Sequence, residues 1–412
     1  MATVQCAAVV CAGVALRLVA SWSAGWGELI LGRQELATAM DSAELLRESM
    51  YLLNTLKVDP KTVWSSLSVH HSPLLLLLPQ KWVFDPFISA LLWIVFDTCT
   101  GVALGLTARR LRSAAKHPSL YLSPTAVIAC YLLNPYSIAT CAAKSMSTLR
   151  TLLLAQSILF AMRGSSIALA ATQALNSVLF LTPLALVPAL TLLGADEYAN
   201  YGSWRTQFGV ARSSAWTQWC KKTVRYNVFF LLALLATSAV LSHDENWSFV
   251  RSVYGTRILL DDLAPSSGLA WYFFVQMFGH FRSFFLLVVN VHLWAYTIPV
   301  TIQYRSDPLF AVTMLFGLQC LFQNYTSVGD TAMYIALWSL PSVRLADYLR
   351  YPMVTSLLFA YSSLLMRAFH YLWLYAGSAN ANFYYAINLV HALGLGSLLL
   401  DSAYAWSPYN SK

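Results

Sequence analysis

Apolar and polar positions alternate along this chain in long blocks rather than with the short period of a soluble fold. Apolar runs occur near 5–20, 86–107, 118–143, 148–162, 165–194, 226–243, 268–299, 308–323, 329–341, 353–374 and 383–406. Most are long enough, as helices, to cross a bilayer. The 165–194 run is too long for one crossing and holds Pro183 and Pro188, so it reads as two short or broken helices. The pattern predicts an all-α polytopic membrane protein with roughly twelve transmembrane or re-entrant helices in a single domain, 1–412.

Two segments depart from the block pattern. Within 21–85, Leu45, Leu46, Met50, Leu53 and Leu56 recur at helical spacing between Glu44, Arg47 and Glu48, which predicts an amphipathic helix. The leucine run before Pro79 is too short to span and predicts a re-entrant or interfacial turn. Near the C-terminus, Tyr375-Ala376-Gly377-Ser378-Ala379-Asn380-Ala381-Asn382 joins two spans without a single charge. Its small residues allow close approach to the backbone, and its amides offer donors and acceptors suited to sugar hydroxyls and phosphates.

Composition fits this reading: the chain is 58% hydrophobic and 11% charged, against about 25% charged in a soluble domain. The net charge of +8 is concentrated in loops. Arg109, Arg110, Arg112 and Lys116 form one basic loop, and Arg205, Arg212, Lys221, Lys222 and Arg225 a second. Arg344 and Arg350 flank a third, and Arg305 marks a fourth. Placing all four in the cytosol puts both termini there and turns 21–85, 244–267 and 375–382 to the lumen. The basic charge then reflects topology and anionic lipid rather than nucleic acid. The first span lacks a basic leader, and Arg17 lies in its C-terminal end, so it does not read as a cleaved signal.

Candidate chemistry is sparse. None of the seven cysteines forms a CxxC pair, and the eight histidines show no metal-ligand spacing beyond the adjacent His70-His71. That pair reads either as an interface cap or as a contact to a lipid headgroup. No P-loop, GxSxG or GxGxxG motif is present, so no catalytic, metal or cofactor site is expected. Asp97, Lys144, Arg163, Gln276, His280, Arg282 and Asp330 lie at or near membrane depth, where polarity is costly. Asn134-Pro135 breaks the third span and frees a backbone carbonyl that must find a partner. Each alone fits pairing between helices; together they suggest a lined cavity. Asn246-Trp247-Ser248 and Asn324-Tyr325-Thr326 are candidate glycosylation sequons.

A series of motifs resembles the class U subunit family of glycosylphosphatidylinositol (GPI) transamidase. It begins with Tyr131-Leu132-Leu133-Asn134-Pro135-Tyr136 and Ala143-Lys144-Ser145. Ser252-Val253-Tyr254-Gly255, Trp271-Tyr272-Phe273-Phe274, Met277-Phe278 and His280-Phe281 follow, then Tyr296-Thr297-Ile298-Pro299 and Val328-Gly329-Asp330. The hinge Tyr375 to Asn380, Asn382-Phe383 and Tyr385-Ala386-Ile387 close it. The resemblance runs from about 66 to 406. Where the family carries acidic residues around its Met-Phe-x-His-Phe stretch, this chain has Gln276 and Gly279.

The resemblance implies a non-catalytic subunit of an endoplasmic reticulum complex that attaches a preformed GPI lipid to proproteins. The protease chemistry would belong to a separate caspase-like subunit. The implied scaffold is similar to GT-C glycosyltransferases, and the implied partners are the other subunits, the GPI lipid and membrane phospholipids. Asn380, Asn382 and Ser378 are the implied GPI-binding residues. Arg282, with Phe281, Ser283 and Phe284, is read as a phospholipid contact on the cytosolic side, by position alone. The alternative is a GT-C glycosyltransferase, but its acidic pair after the first span is missing; Asp261-Asp262 lies far along the chain. A secondary transporter is a weaker third reading, because no internal repeat is evident.

Overall fold

The structure is a computed structural model, and it describes residues 2–22, 33–66, 69–115, 117–199, 214–243 and 246–411. Among the described residues the chain is helical, with one isolated bridge, Ser42 to Ser145, in place of any sheet. We number the helices that carry the argument. The first half contains α1 (Ala2–Trp22), α2 (Ala43–Met50), α3 (Pro86–Ala114), α4 (Pro124–Leu132), α5 (Pro135–Ala142), α6 (Ser147–Met162), α7 (Ser166–Phe180) and α8 (Val187–Ala199). The second contains α9 (Ser214–Leu241), α10 (Ala270–Val275), α11 (Gly279–Ala295), α12 (Thr297–Gln303), α13 (Pro308–Phe322), α14 (Val328–Ser339), α15 (Pro352–Leu374) and α16 (Ala381–Ser411).

Six stretches are helices long and apolar enough to cross a membrane: Val4–Trp22, Pro86–Ala114, Trp216–Leu241, Gly279–Gln303, Pro352–Leu374 and Ala381–Ser407. Pro118–Leu132 and Pro135–Ala142 form a seventh if their 47° bend is one broken span. Four more apolar helices, Ser147–Met162, Ser166–Phe180, Thr182–Asp196 and Pro308–Phe322, are shorter. These short helices make much of the core, so they need less lipid-facing length than the outer ones. Phe310, Leu154, Ala155, Leu186 and Leu190 are all buried in the main cluster. The 165–194 run is broken as its prolines predict: α7 ends at Leu181, whose φ is +63°, and a 3-10 turn over Thr182–Leu186 leads into α8.

Contacts define two ends of the bundle. At one end Trp22 stacks on Phe87, Lys144 Nζ reaches the Pro86 carbonyl, and Tyr254 donates to the Val178 carbonyl. At the other, Arg344 pairs with Asp307 and lies over Tyr121, Trp219 donates to the Gly164 carbonyl, and Asp401 accepts from the Arg350 and Tyr351 amides. The arginines at 109, 110, 112, 305, 344 and 350 belong to this second end; the hinge at 375–380 belongs to the first.

The Asn134-Pro135 break is fully accounted for. Asn134 Oδ1 caps α5 by accepting from the Tyr136 amide at 2.9 Å, and Pro135 occupies the first turn, where no donor is lost. The freed carbonyls find charged and hydroxyl partners: Leu132 O accepts from Arg17 Nη1 at 2.7 Å, and Tyr131 O from Ser137 Oγ at 2.6 Å. Arg17 is itself fully buried and pairs with Asp97, 2.6 Å from Nε to Oδ2, while the Tyr131 hydroxyl donates to the other oxygen. One ion pair thus joins α1, α3 and the break between α4 and α5.

The segment from Arg33 to Ser42 runs across the first end as a strap. The Glu35 carbonyl accepts from the Val328 amide and the Asp41 carbonyl from the Met146 amide. The Asp41 side chain meets two arginines, Arg257 at 2.9 Å and Arg150 at 3.3 Å. Burial alone pushes the Asp41 carboxyl up; the two guanidiniums outweigh it and hold it below the usual carboxylate range. Arg150 also reaches Asp330, so the hub carries two negative and two positive groups.

In the N-terminal region, Leu46 and Met50 of α2 are buried and Leu56 points outward. The leucine run is a 3-10 turn, Pro73–Leu77. His71 departs from the lipid-contact reading: it is buried, and its Nε2 bonds the Ser42 carbonyl at 3.0 Å. His70 Nδ1 bonds the Ser252 carbonyl at 3.2 Å. His71 thus ties its segment to the end of the strap, and His70 ties the same segment to Ser252. The basic positions Lys116, Arg205 and Arg212 lie outside the described residues.

Candidate functional site

The hinge is an ordered, solvent-facing turn. α15 ends with the Tyr375 and Ala376 amides bonded to the Tyr371 carbonyl, and the Ser378 and Ala379 amides bonded to Leu372 O. This reversal needs a left-handed residue, supplied by Gly377 at φ +64°, with open space around it. Asn380 Oδ1 then accepts from the Asn382 amide at 3.1 Å and the Phe383 amide at 3.4 Å, capping α16. Asn382 Oδ1 takes the Tyr272 hydroxyl. Ser378, Asn380 and Asn382 are all exposed, and the structure brings the three together on one surface.

Beneath the hinge stands a wall of rings. Trp271 stacks on Trp373 with centroids 6.4 Å apart, meets Tyr385 edge-on at 5.8 Å and lies 6.1 Å from Tyr384. Tyr272 stacks on Tyr385 at 4.5 Å. The wall is anchored by polar bonds from α16 to the loop before α10: Tyr385 donates to Leu269 O at 3.1 Å, and Asn388 Nδ2 to Ser266 O at 2.7 Å. The motif Trp271-Tyr272 and the hinge motif, 110 positions apart, therefore form one unit.

The second group of predicted residues lies on the first turns of α11. Phe281 and Phe284 are exposed. Ser283 lies between them on the same turn. They link to the wall through Phe285, whose ring meets Phe273 at 5.6 Å. Arg282 is placed differently from the cytosolic position read from sequence. Its Nη2 donates to Leu260 O at 2.7 Å, just past the end of the short helix Thr256–Leu259. It therefore lies at the same end as the hinge, at the opposite end of the 25-residue stretch Gly279–Gln303 from Arg305.

Sequence reasoning misses the groups nearest the hinge base. Glu35 of the strap lies 3.5 Å from Arg33 and 4.0 Å from His370, in the last turns of α15 before the hinge. Glu35 is legible only as one of several scattered acids, because a contact between residues 35 and 370 has no local signature. Asp262, half of the adjacent acidic pair, has Oδ1 bonded to the Ala264 amide, a turn-forming role. Among the described residues, no group of three or more His, Cys, Asp or Glu side chains is placed to hold a metal.

Asn324 does not fit the sequon reading. It is buried, and its amide nitrogen donates to the Arg257 carbonyl at 2.8 Å, which leaves no approach for a transferase. Asn246 is exposed.

Comparison with known proteins agrees with the family resemblance. The sequence model of the family described as GPI transamidase subunit PIG-U matches residues 11–391. The human protein named GPI-anchor transamidase component PIGU is 31% identical over 402 residues, covering 92% of this chain and 88% of its own. A GPI transamidase component of Saccharomyces cerevisiae is 31% identical over 376 residues, covering 90% and 86%. A homologue of that component in Schizosaccharomyces pombe is 30% identical over 388 residues, covering 91% and 86%. With its several membrane-length apolar helices and a family match over most of its length, this chain is a multi-pass membrane protein that belongs to the PIG-U family of GPI transamidase subunits.

Proposed function

We propose that this chain is the non-catalytic subunit that recognises the GPI lipid within the transamidase of the endoplasmic reticulum membrane, and presents it for attachment to proprotein C-termini. Its partners are the other subunits, among them the caspase-like protease that performs the chemistry, together with the GPI lipid and surrounding phospholipids. The observation that carries this reading is the hinge: Ser378, Asn380 and Asn382 form an uncharged, capped, solvent-facing surface over an aromatic wall. A neutral amide accepts and donates to glycan hydroxyls and does not repel a phosphate as a carboxylate would. Phe281, Ser283 and Phe284, beside Arg282, serve as a phospholipid or acyl-chain contact at the same end.

We place the hinge end in the lumen and the arginine-rich end in the cytosol, following the bias of Lys and Arg. Twelve crossings then result if α4–α5, α6, α7, α8, α13 and α14 each traverse inside the bundle, on a scaffold of the GT-C type. Short buried helices suffice there because they face protein rather than lipid.

Replacement of both Asn380 and Asn382 by alanine tests the reading. Loss of one sugar hydrogen bond costs on the order of 1 kcal/mol, so surface display of a GPI-anchored reporter should fall well below half while the complex still assembles. Undiminished display from a well-expressed double variant would refute it.

A further inference from the structure

The strap is pinned along its backbone, but its contact with the hinge helix is left open. The Glu35 and Asp41 carbonyls accept from the Val328 and Met146 amides, and the Asp41 side chain is held by two guanidiniums. The Glu35 side chain, in a residue only 4% exposed, is not closed in this way. Its Oε1 lies 3.5 Å from Arg33 Nη1 on the same segment, whereas Oε2 stands 4.0 Å from His370 Nε2 and has no hydrogen-bond partner among the described residues. His370 Nδ1 and the Tyr384 hydroxyl also lack partners there, and both residues are more than nine-tenths buried. The charged and titratable groups that face the His370 ring are Glu35 and Arg33 from the strap, Tyr384 from α16, and Tyr375 from the hinge.

At 4.0 Å the ring and the carboxylate are beyond hydrogen-bond reach. A protonated imidazole carries a donor on each nitrogen, and its bond to a carboxylate is shorter and stronger than that of a neutral ring. Histidine is the side chain that ordinarily changes charge between roughly pH 5 and 8. Glu35 Oε2 favours the added charge. Arg33 opposes it, but its guanidinium is turned to Oε1 and its side chain is 18% exposed, so solvent screens it. The strap backbone is bonded on both sides and cannot follow the ring, so the movement falls on α15, which packs along α16. We infer that Glu35 and His370 form a proton-operated latch: protonation of His370 closes the gap to Glu35 Oε2 and draws the hinge end of α15 against the strap. The closed form holds one more proton than the open form, so closing is favoured as the pH falls and is released as it rises. The Ser378 and Ala379 amides are bonded to Leu372 O, so the hinge moves with the end of α15, whatever it binds.

The test uses the whole complex, captured through a tag on this chain and held in phosphatidylcholine nanodiscs. Amide hydrogen exchange of the segment 371–383 is followed at about pH 6 and about pH 8, with rates corrected for the pH dependence of exchange in free peptides. The expected result is at least about three-fold greater protection of the hinge at the lower pH, with no such gain around Met146 at the far end of the strap. The gain should disappear in Glu35→Gln and in His370→Gln. Equal protection at both pH values, or a gain that survives Glu35→Gln, overturns the inference. Exchange at the imidazole C2 carbon of His370, read by mass spectrometry in the unaltered complex, reports the titration of that ring alone. Its midpoint should coincide with that of hinge protection. A different midpoint overturns the latch, and this comparison decides even where the variants fail to assemble. None of these readouts involves lipid, so failure of the latch leaves the lipid-recognition reading standing.

Discussion

Arg150 and Asp330, 180 positions apart, meet in the interior with both carboxylate oxygens within 2.7 Å of one guanidinium nitrogen. Asp330 also closes the capping box of α14, accepting from the Ser327 amide, and takes the Gln323 amide at 3.0 Å. Both oxygens of this carboxylate are thus engaged. Removing one partner leaves the buried charges of the hub unbalanced, which costs up to about 3–5 kcal/mol. Asp330→Asn and Arg150→Met should each sharply lower the fraction of monodisperse protein on heating in detergent. A melting curve unchanged by either would contradict the assignment.

His71 makes stability depend on pH. Burial, more than any neighbouring charge, pushes its imidazole down to about 4. The unfolded chain has the ordinary value of 6.5. The folded state therefore binds fewer protons between these values, and its stability is present above 6.5 and is lost as the pH falls toward 4. The loss amounts to about 3 kcal/mol over that window. Melting temperatures measured from pH 7.5 to 4.5 should fall, and His71→Gln should flatten the part of the slope above pH 5.

Close helix packing at Gly329 leaves no space for a side chain. A Cβ there would stand 2.7 Å from Thr140 Cγ2 and 2.9 Å from its Oγ1. Thr140 is held by its bond to the Tyr136 carbonyl, so it cannot swing away. Gly329→Ala should destabilise by about 1–3 kcal/mol, and Thr140→Ala should restore part of it in the double variant. Simple additivity of the two effects would show that the contact is not the cause.

Asn324→Gln should leave electrophoretic mobility unchanged with or without endoglycosidase, because the native amide is buried against Arg257 O. The same substitution should lower thermal stability. A mobility shift lost in this variant would mean that the loop opens.

Tyr272→Phe removes the hydroxyl that holds the Asn382 side chain. If Asn382 contributes its amide to glycan binding, this variant should reduce reporter anchoring by a smaller factor than Asn382→Ala, while leaving the aromatic stack on Tyr385 intact. An effect larger than that of Asn382→Ala would move the recognition to the ring itself.

Local rules make some of this visible in the sequence. The hinge stands out because a plain connector between two apolar runs more often carries charge or proline than a string of small neutral polar residues. Asn134-Pro135 announces a break, since proline cannot continue a hydrogen-bond ladder. Asp97 and Asp330 are conspicuous as carboxylates in apolar runs. Their partners are not. Arg17 reads as the edge of a span, and Arg150 carries no local sign of its role, because ion pairs spanning 80 or 180 positions arise only when the helices pack. Arg282 is misread for a related reason: its position in an apolar run does not say toward which end its side chain reaches. The runs of α6, α7 and α13 are visible as apolar segments, but the sequence does not show that these helices are shorter than the lipid-length spans and pack inside the bundle.

The strap has a consequence for how the protein is made. Synthesis proceeds from the N-terminus at about 5–20 residues per second. Asp41 enters early, but its partner Arg257 follows 216 positions later. For on the order of ten seconds or more, a carboxylate destined for the interior waits without its second guanidinium. Arg150 likewise waits for Asp330. Until Arg257 and Asp330 have been made, the charges of Asp41 and Arg150 have only each other, so the hub closes late in synthesis.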